Sequence, residues 1–389
     1  MDLSPKTPFY SLPVEILQQI LRCAPDVASL KSLVLASSRF YYAFGGAKST
    51  IIHQVLLNSL GQDLLSHALA TLEAAKKKTL SNGEVERFNI YCSNLKEASP
   101  AYFSALTWKP KDAAMIARLY DHVQALASDM ASTCLLNFKK KYPHADVSRP
   151  LSDGEVTRFQ HAFYRFEIYC ILFHDKNLYF DGDDDLIKTH CDYFAHWENE
   201  QFGCVYDYLY KRVNSVLNTL GPHLPGPLSL FEQVDAPYLQ YHLSLGLHHL
   251  RPLLAANSRE ECSRLIGDEM SQDYVEFLQE VFIGVLKPMR EVLLDQVEDP
   301  KAPYFRGDSD SGPKSISIWA SNADDPYSFG ASYWQLRSWG YVLWDQARLD
   351  SWGVLQDPWR RPDDDDDGLA DFTPYGLEYL DFPLSSPSG

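Results

Sequence analysis

The spacing of the apolar residues constrains this chain most. Ala162, Phe163, Phe166, Tyr169, Cys170 and Phe173 recur at steps of three and four. Val205, Leu209, Val213, Val216 and Leu220 do the same, as do Val281, Phe282, Val285, Leu286, Met289 and Leu293. Such spacing lines up side chains on one face of a helix of 3.6 residues per turn, ready to bury against a neighbour. Pro288 lacks an amide hydrogen and predicts a kink in the last of these helices. No stretch sustains the alternation of β-branched and polar residues that a half-buried strand requires. The expectation is an all-α protein.

Breaks in the pattern give an expected domain plan. They fall at Gly45-Gly46, at Tyr142–Pro150, at Gly221–Pro227 and at Pro300–Pro326. The last stretch is rich in Pro, Asp and Ser and predicts a long surface loop. With 389 residues the chain exceeds the roughly 250–300 that one hydrophobic core serves. The plan is a short module over residues 9–55, a helical body over 56–357 and an acidic, disordered tail over 358–389. Asp363–Asp367 in that tail cannot pack and should stay solvated.

Two segments share a helix-start signature. Leu80–Phe88 reads LSNGEVERF and Leu151–Phe159 reads LSDGEVTRF. Each sets a Ser (Ser81, Ser152) three residues before a Glu (Glu84, Glu155). That is the capping-box spacing, in which hydroxyl and carboxylate each satisfy an orphan backbone N–H. The likeness does not continue far enough to make a repeat.

Charge and cysteine usage narrow the partners. The net charge is -17, which repels phosphate backbones and anionic bilayers, so neither nucleic acid nor membrane is an expected partner. No basic and apolar leader opens the sequence, and no run reaches the ~18–20 apolar residues of a membrane helix. The seven cysteines lack Cys-x-x-Cys spacing, so neither a disulfide framework nor a zinc site is expected. A cytoplasmic or nuclear location follows as an expectation. Lys76–Lys78 and Lys139–Lys141 fall short of a localisation cluster and read as solvated helix faces.

Enzymatic signatures are missing from the sequence. There is no Gly-x-Ser-x-Gly elbow, Walker loop, Gly-x-Gly-x-x-Gly or His-Glu-x-x-His. His161, His174-Asp175 and Asp192 are superficially similar to the metal ligands of helical HD phosphohydrolases. A metal-dependent helical hydrolase is therefore one alternative function. The plainer reading makes His174 the end of a Phe-rich helix, where a cationic ring suits the dipole. Asp181–Asp185 has calcium-loop letters at three positions, but Leu186 stands where Gly is needed. His190-Cys191-Asp192 has triad letters, yet adjacent residues on a helix point apart. No catalytic residue, metal or cofactor is expected.

The N-terminus is more specific. Residues 9–44 read FYSLPVEILQQILRCAPDVASLKSLVLASSRFYYAF. Pro13 suits the first position of a helix, and Glu15 faces the positive end of its dipole. Ile16, Leu17, Ile20 and Leu21 form a stripe, and Pro25 ends the helix. A second helix is expected from about Ser29, with Leu30, Leu33 and Val34 on one face, and a third over Arg39–Phe44, stopped by Gly45-Gly46. Three such short helices cannot bury their own apolar faces and must lean on the rest of the chain or on a partner.

Leu12-Pro13-x-Glu15-Ile16-Leu17-x-x-Ile20-Leu21, then Leu30-x-x-Leu33, then Ala36-Ser37-Ser38-Arg39-Phe40, resembles the F-box of filamentous-fungal proteins. Phe40-Tyr41-Tyr42 stands where many F-boxes carry a Trp. The resemblance implies docking onto a Skp-type adaptor within a cullin complex, as the substrate receptor of an SCF-type ubiquitin ligase. The implied adaptor-binding residues are Leu12, Pro13, Ile16, Leu17, Ile20, Leu21, Leu30, Leu33 and Val34. The implied cargo is an unknown protein substrate. The alternative within this class is an F-box-like interaction protein outside any ligase. Arg158–Arg165, Trp197–Gln201 and Arg337–Asp345 resemble, more diffusely, the bodies of uncharacterised proteins of that family.

Six of the eight Trp lie at 319, 334, 339, 344, 352 and 359. Trp is enriched both in cores and at binding hot spots. Trp344 and Arg348, four apart, are placed to stack. Trp339, five from Trp344 and so on another face of a continuous helix, is the candidate for substrate binding.

Overall fold

A computed structural model describes residues 12–77, 81–174, 184–191, 193–220, 236–266, 311–321 and 335–356. Among them every regular element is helical and no strand occurs, as the apolar spacing predicts. The elements are α1 (Val14–Arg22), α2 (Val27–Ala36), α3 (Ser38–Gly46), α4 (Lys48–Ala74), α5 (Asn82–Lys96), α6 (Pro100–Ala105) and α7 (Pro110–Lys141). Then follow α8 (Asp153–Phe173), α9 (Asp184–Cys191), α10 (His196–Leu220), α11 (Ala236–Ser244), α12 (Leu247–Ala255) and α13 (Arg259–Ile266). After these come α14 (Gly312–Ser321), a 3-10 turn at Tyr341–Leu343, α15 (Gln346–Trp352) and a second 3-10 turn at Val354–Gln356. The expected helix at Val281–Leu293, the break at Gly221–Pro227 and the tail 358–389 lie outside the described residues.

The chain divides into two compact units, residues 1–78 with 87–125 and residues 79–86 with 126–389. The expected boundary at residue 55 falls inside α4. In the first unit, Pro13 stands just outside α1 with an extended ψ of 154° rather than at its first position. Asp26 caps α2 by accepting the Ser29 N–H at 2.6 Å, which starts that helix two residues before the expected Ser29. Ser37 caps α3 by accepting the Phe40 N–H at 3.3 Å. Helix α3 runs through Gly45-Gly46 instead of stopping before them.

Leu17, Leu21, Leu30, Val34 and Phe40 turn inward, where each buried side chain stabilises the module by about 1.5–3 kcal/mol. Helix α4 closes this core with Ile51, Ile52, Val55 and Leu56, all buried. The three short helices thus lean on the rest of the chain, the first of the two supports the sequence allows. Asn58 fixes α4 to the end of α1, its amide donating to Arg22 O at 2.8 Å and Ala24 O at 2.9 Å. Gly61, at φ 72° and ψ 174°, breaks the helical path of α4 in mid-course. Further along the unit, the Trp108 indole donates to Phe103 O at 2.9 Å and stacks on His53 at 5.9 Å.

The second unit is organised around α8, most of whose side chains are buried. Ser152 and Glu155 form the expected capping box at its start. The parallel pair at α5 forms half of one. Glu84 accepts the Ser81 N–H at 2.9 Å, while the Ser81 hydroxyl donates to the Glu84 carboxylate. The loop expected over 300–326 contains α14, whose Ile316, Ser317 and Ala320 are buried. No helix among the described residues is long and apolar enough to cross a membrane, and none of the seven cysteines is in a disulfide.

Candidate functional site

Helices α1, α2 and α3 expose apolar side chains as well as burying them. Val14, Ile16, Leu35, Tyr41 and Tyr42 are exposed, Leu35 at 70% and Tyr42 at 75%. These are five of the eleven large hydrophobic residues exposed among the described residues, and they fall within one short module. Arg39 donates to Leu12 O at 2.6 Å, which sets the start of α1 beside the first turn of α3. Tyr42 is three residues beyond Arg39 and so lies on the same side of α3. Gln18 of α1 donates to Ala43 O at 3.1 Å and fixes the same pair of helices. Tyr41 and Tyr42 meet edge to face with centroids 6.0 Å apart.

The adaptor-binding residues read from the sequence separate into two groups. Pro13 and Ile16 are exposed, and Leu12, Ile20 and Leu33 are half-buried. Leu17, Leu21, Leu30 and Val34 are buried and hold the module together. The stripe of four apolar residues in α1 is therefore split, with Ile16 outside and Leu17 and Leu21 inside. Sequence reasoning left Val14, Leu35, Tyr41 and Tyr42 out of the adaptor-binding set, although Tyr41 and Tyr42 stand where the resemblance puts a Trp. For Val14 and Leu35 apolar character was the only signal, and the inward or outward choice depends on where α3 and α4 pack.

The second unit holds a lattice of buried ions. The three segments Arg158–Arg165, Trp197–Gln201 and Arg337–Asp345 converge there. Glu155 accepts Arg348 Nε and Nη2, each at 2.7 Å, and the Asp345 N–H at 3.1 Å. Arg348 also donates to Pro150 O at 2.7 Å and Arg149 O at 3.1 Å. Arg158 donates to Leu343 O at 3.0 Å and to Asp345 Oδ1 at 2.8 Å. Arg165 reaches Gln201 Oε1 at 2.9 Å and pairs with Glu198, and Gln201 donates onward to Val342 O at 3.0 Å.

Equally enclosed, Arg337 grips Glu200 through Nε at 3.0 Å and Nη2 at 2.8 Å, and Tyr341 OH donates to the same carboxylate at 2.9 Å. Burial raises the Glu200 pKa, but the guanidinium and these hydrogen bonds outweigh it and hold the carboxyl below its usual range. Gly203 makes room, since a Cβ there would stand 2.9 Å from Arg337 Cζ. Each carboxylate of the lattice faces a guanidinium, so the lattice fixes chain segments to one another.

The aromatic block joins the same core. Trp339 and Trp344 are both fully buried, so Trp339 offers no surface to a substrate. The segment is not one helix: Gly340, at φ 63°, ends one turn, and the 3-10 turn at Tyr341–Leu343 follows. Trp344 donates to Trp339 O at 2.9 Å, and the Arg348 guanidinium lies 5.5 Å from the Trp344 ring, the stacking that their spacing predicts.

The remaining sequence candidates are placed as follows. Helix α8 is unbroken between His161 and His174, and His174 Nδ1 lies 3.0 Å from Ser244 Oγ. Asp175, Asp192 and Asp181–Asp183 lie outside the described residues. Burial pushes the His190 ring down to about 4. Among the described residues no group of three or more His, Cys, Asp or Glu stands together to hold a metal ion. Of the 35 basic and 52 acidic residues, 26 and 23 are described ones. The acidic excess therefore resides elsewhere in the sequence, and total charge says little about what the described surface repels. Compared with protein-family models, curated proteins and solved structures, the chain matches none.

Proposed function

We propose that this chain is an interaction protein whose N-terminal helices dock onto a Skp-type adaptor of a cullin–RING ubiquitin ligase, while the second unit serves the recognition of an unidentified protein. The observation that carries the reading is the exposure of Val14, Ile16, Leu35, Tyr41 and Tyr42 on one short module whose inner face α4 already closes. Apolar surface concentrated in this way marks a place for a partner, and aromatic residues supply most of the binding energy at such places. The resemblance of Leu12–Phe40 to an F-box names the partner.

The test is binding of the purified chain to a purified Skp-type adaptor, followed by titration calorimetry. Ile16→Asp and Tyr42→Ala, both at exposed positions, should each weaken binding at least tenfold without lowering the melting temperature. Unchanged affinity in both variants would overturn the docking assignment. Binding to another protein through the same residues, with none to the adaptor, would place the chain outside any ligase.

A further inference from the structure

Glu167 of α8 sets its carboxyl against the corner between α11 and α12. Its Oε2 accepts the Leu247 N–H, the first amide of α12, at 2.7 Å. Gly246 turns the corner at φ 74°, and a Cβ there would lie 2.8 Å from the same Oε2, so the carboxyl sits directly on the backbone of the corner. Cys170, also on α8, donates its thiol to Leu243 O at 3.6 Å. His242 of α11 and His249 of α12 stack across the corner, with ring nitrogens 3.0 Å apart.

Glu167 is buried, and no cation pairs with it among the described residues. On α8, Arg165 is held by Glu198 and Gln201. From α10, Glu200 and Asp207 face Arg337, and the Tyr206 hydroxyl accepts from Gln240. From the 3-10 turn, Tyr341 donates to Glu200. On α12, His248 is exposed and Arg251 is half-exposed. An ionised Glu167 would thus have one backbone N–H to offset its desolvation, and a neutral carboxyl suits the place better.

We propose that the protonated carboxyl of Glu167 is a latch that holds the α11–α12 corner on α8, and that the corner loosens when this proton is lost. Burial pushes the group up to about 7, against the lowering effect of the Leu247 amide, which sets the working range near neutrality. The sign follows from linkage. Between the ordinary 4.5 and about 7 the closed corner holds a proton that the open one has released, so raising the pH favours opening. The His242–His249 pair works in the opposite sense, because burial and the neighbouring ring hold His242 near 3 and burial also lowers His249, so opening lets both rings take up protons below about 6.5. The latch stands independently of the docking assignment.

Hydrogen exchange of the full chain at pH 6 and pH 8, corrected for intrinsic rates, tests it. From pH 6 to pH 8 the protection of residues 236–255 in the unmodified chain should fall about tenfold relative to that in Glu167→Gln, which has no carboxyl proton to lose and reports the histidines alone. The same pH dependence in the unmodified chain and in Glu167→Gln overturns the latch. Carbon-13 titration of the Glu167 carboxyl in the unmodified chain provides a measurement independent of any variant. A transition near 7 is expected, and one below about 5.5 overturns the latch.

Discussion

Arg348 and Glu155 meet as a two-point ion pair across 193 residues of sequence, with both side chains 1% exposed. Glu155 is also the capping residue of α8. The start of the central helix of the second unit and the last described helix, α15, are therefore fixed by one carboxylate. Around it, the remaining donors of Arg348 reach the carbonyls of Arg149 and Pro150, so almost none of the guanidinium is left to water.

Breaking this pair should be costly. Arg348→Met leaves Glu155 enclosed without its counter-charge, and the expected loss is about 3–5 kcal/mol in urea unfolding of the second unit. Ser152→Ala removes a cap hydroxyl from the same helix start and should cost about 1 kcal/mol. A loss below about 1 kcal/mol for Arg348→Met would mean that water or a side-chain shift rescues Glu155.

Trp339 and Trp344 should behave alike. Both are fully enclosed, and each contacts a ring of α7 or α8, Phe138 at 5.1 Å for Trp339 and Phe159 at 5.3 Å for Trp344. Truncation of either to Ala should destabilise by about 3–5 kcal/mol. Thermal melts of the two single variants decide the point. A mild effect for Trp339 alone would reinstate it as a candidate binding residue.

Glycine substitutions give opposite expectations at two helical sites. At Gly203 an added methyl meets the Arg337 guanidinium at 2.9 Å and must displace it from Glu200, so Gly203→Ala should cost about 1–3 kcal/mol. At Gly45, inside α3, nothing lies within 4 Å, so Gly45→Ala should stabilise its unit by about 0.5–1 kcal/mol. Denaturant midpoints of the two variants provide the comparison.

How much of this was legible in the sequence varies by element. Helix α8 was legible because its cap, Ser152 with Glu155, and its apolar spacing both point the same way. Helix α14 was not. GPKSISIWAS is short and sits among Pro- and Asp-rich residues, and its buried positions depend on packing against the 341–343 turn and α15. The Trp block misled because spacing alone implies a helix, while Gly340 adopts a left-handed φ with Cys134 Sγ 3.0 Å from where its Cβ would be. The ionic lattice was invisible for a related reason. Arg158, Arg165 and Arg337 look like surface residues until their partners, distant in sequence, are brought to them. In the N-terminal module, Ile16 and Leu17 are equally apolar, and only the positions of α3 and α4 decide which of them faces out.

Acid should unfold this protein earlier than its ion pairs alone would dictate. His190 and His196 are held near 4, and His242 near 3, mainly by burial. His196 also feels Glu200, which raises it, and Arg337, which lowers it. All three rings are enclosed and stay neutral in the folded state, whereas in the unfolded chain they take up protons near 6.5. Below about pH 6.5 the unfolded state therefore binds more protons, and stability falls as the pH drops toward 4. Glu167 works against this, because its raised value makes the folded state the better proton binder between 4.5 and about 7. Three histidines outweigh one carboxyl, which leaves a net uptake of about two protons on unfolding near pH 5.5. At about 1.4 kcal/mol per proton and pH unit, the slope is on the order of 2–3 kcal/mol per pH unit. Urea midpoints at pH 5, 6 and 7 measure it directly. A flat profile, or stability rising on acidification, would show that these rings are protonated in the fold. His190→Gln should shallow the slope by about half if the assignment holds.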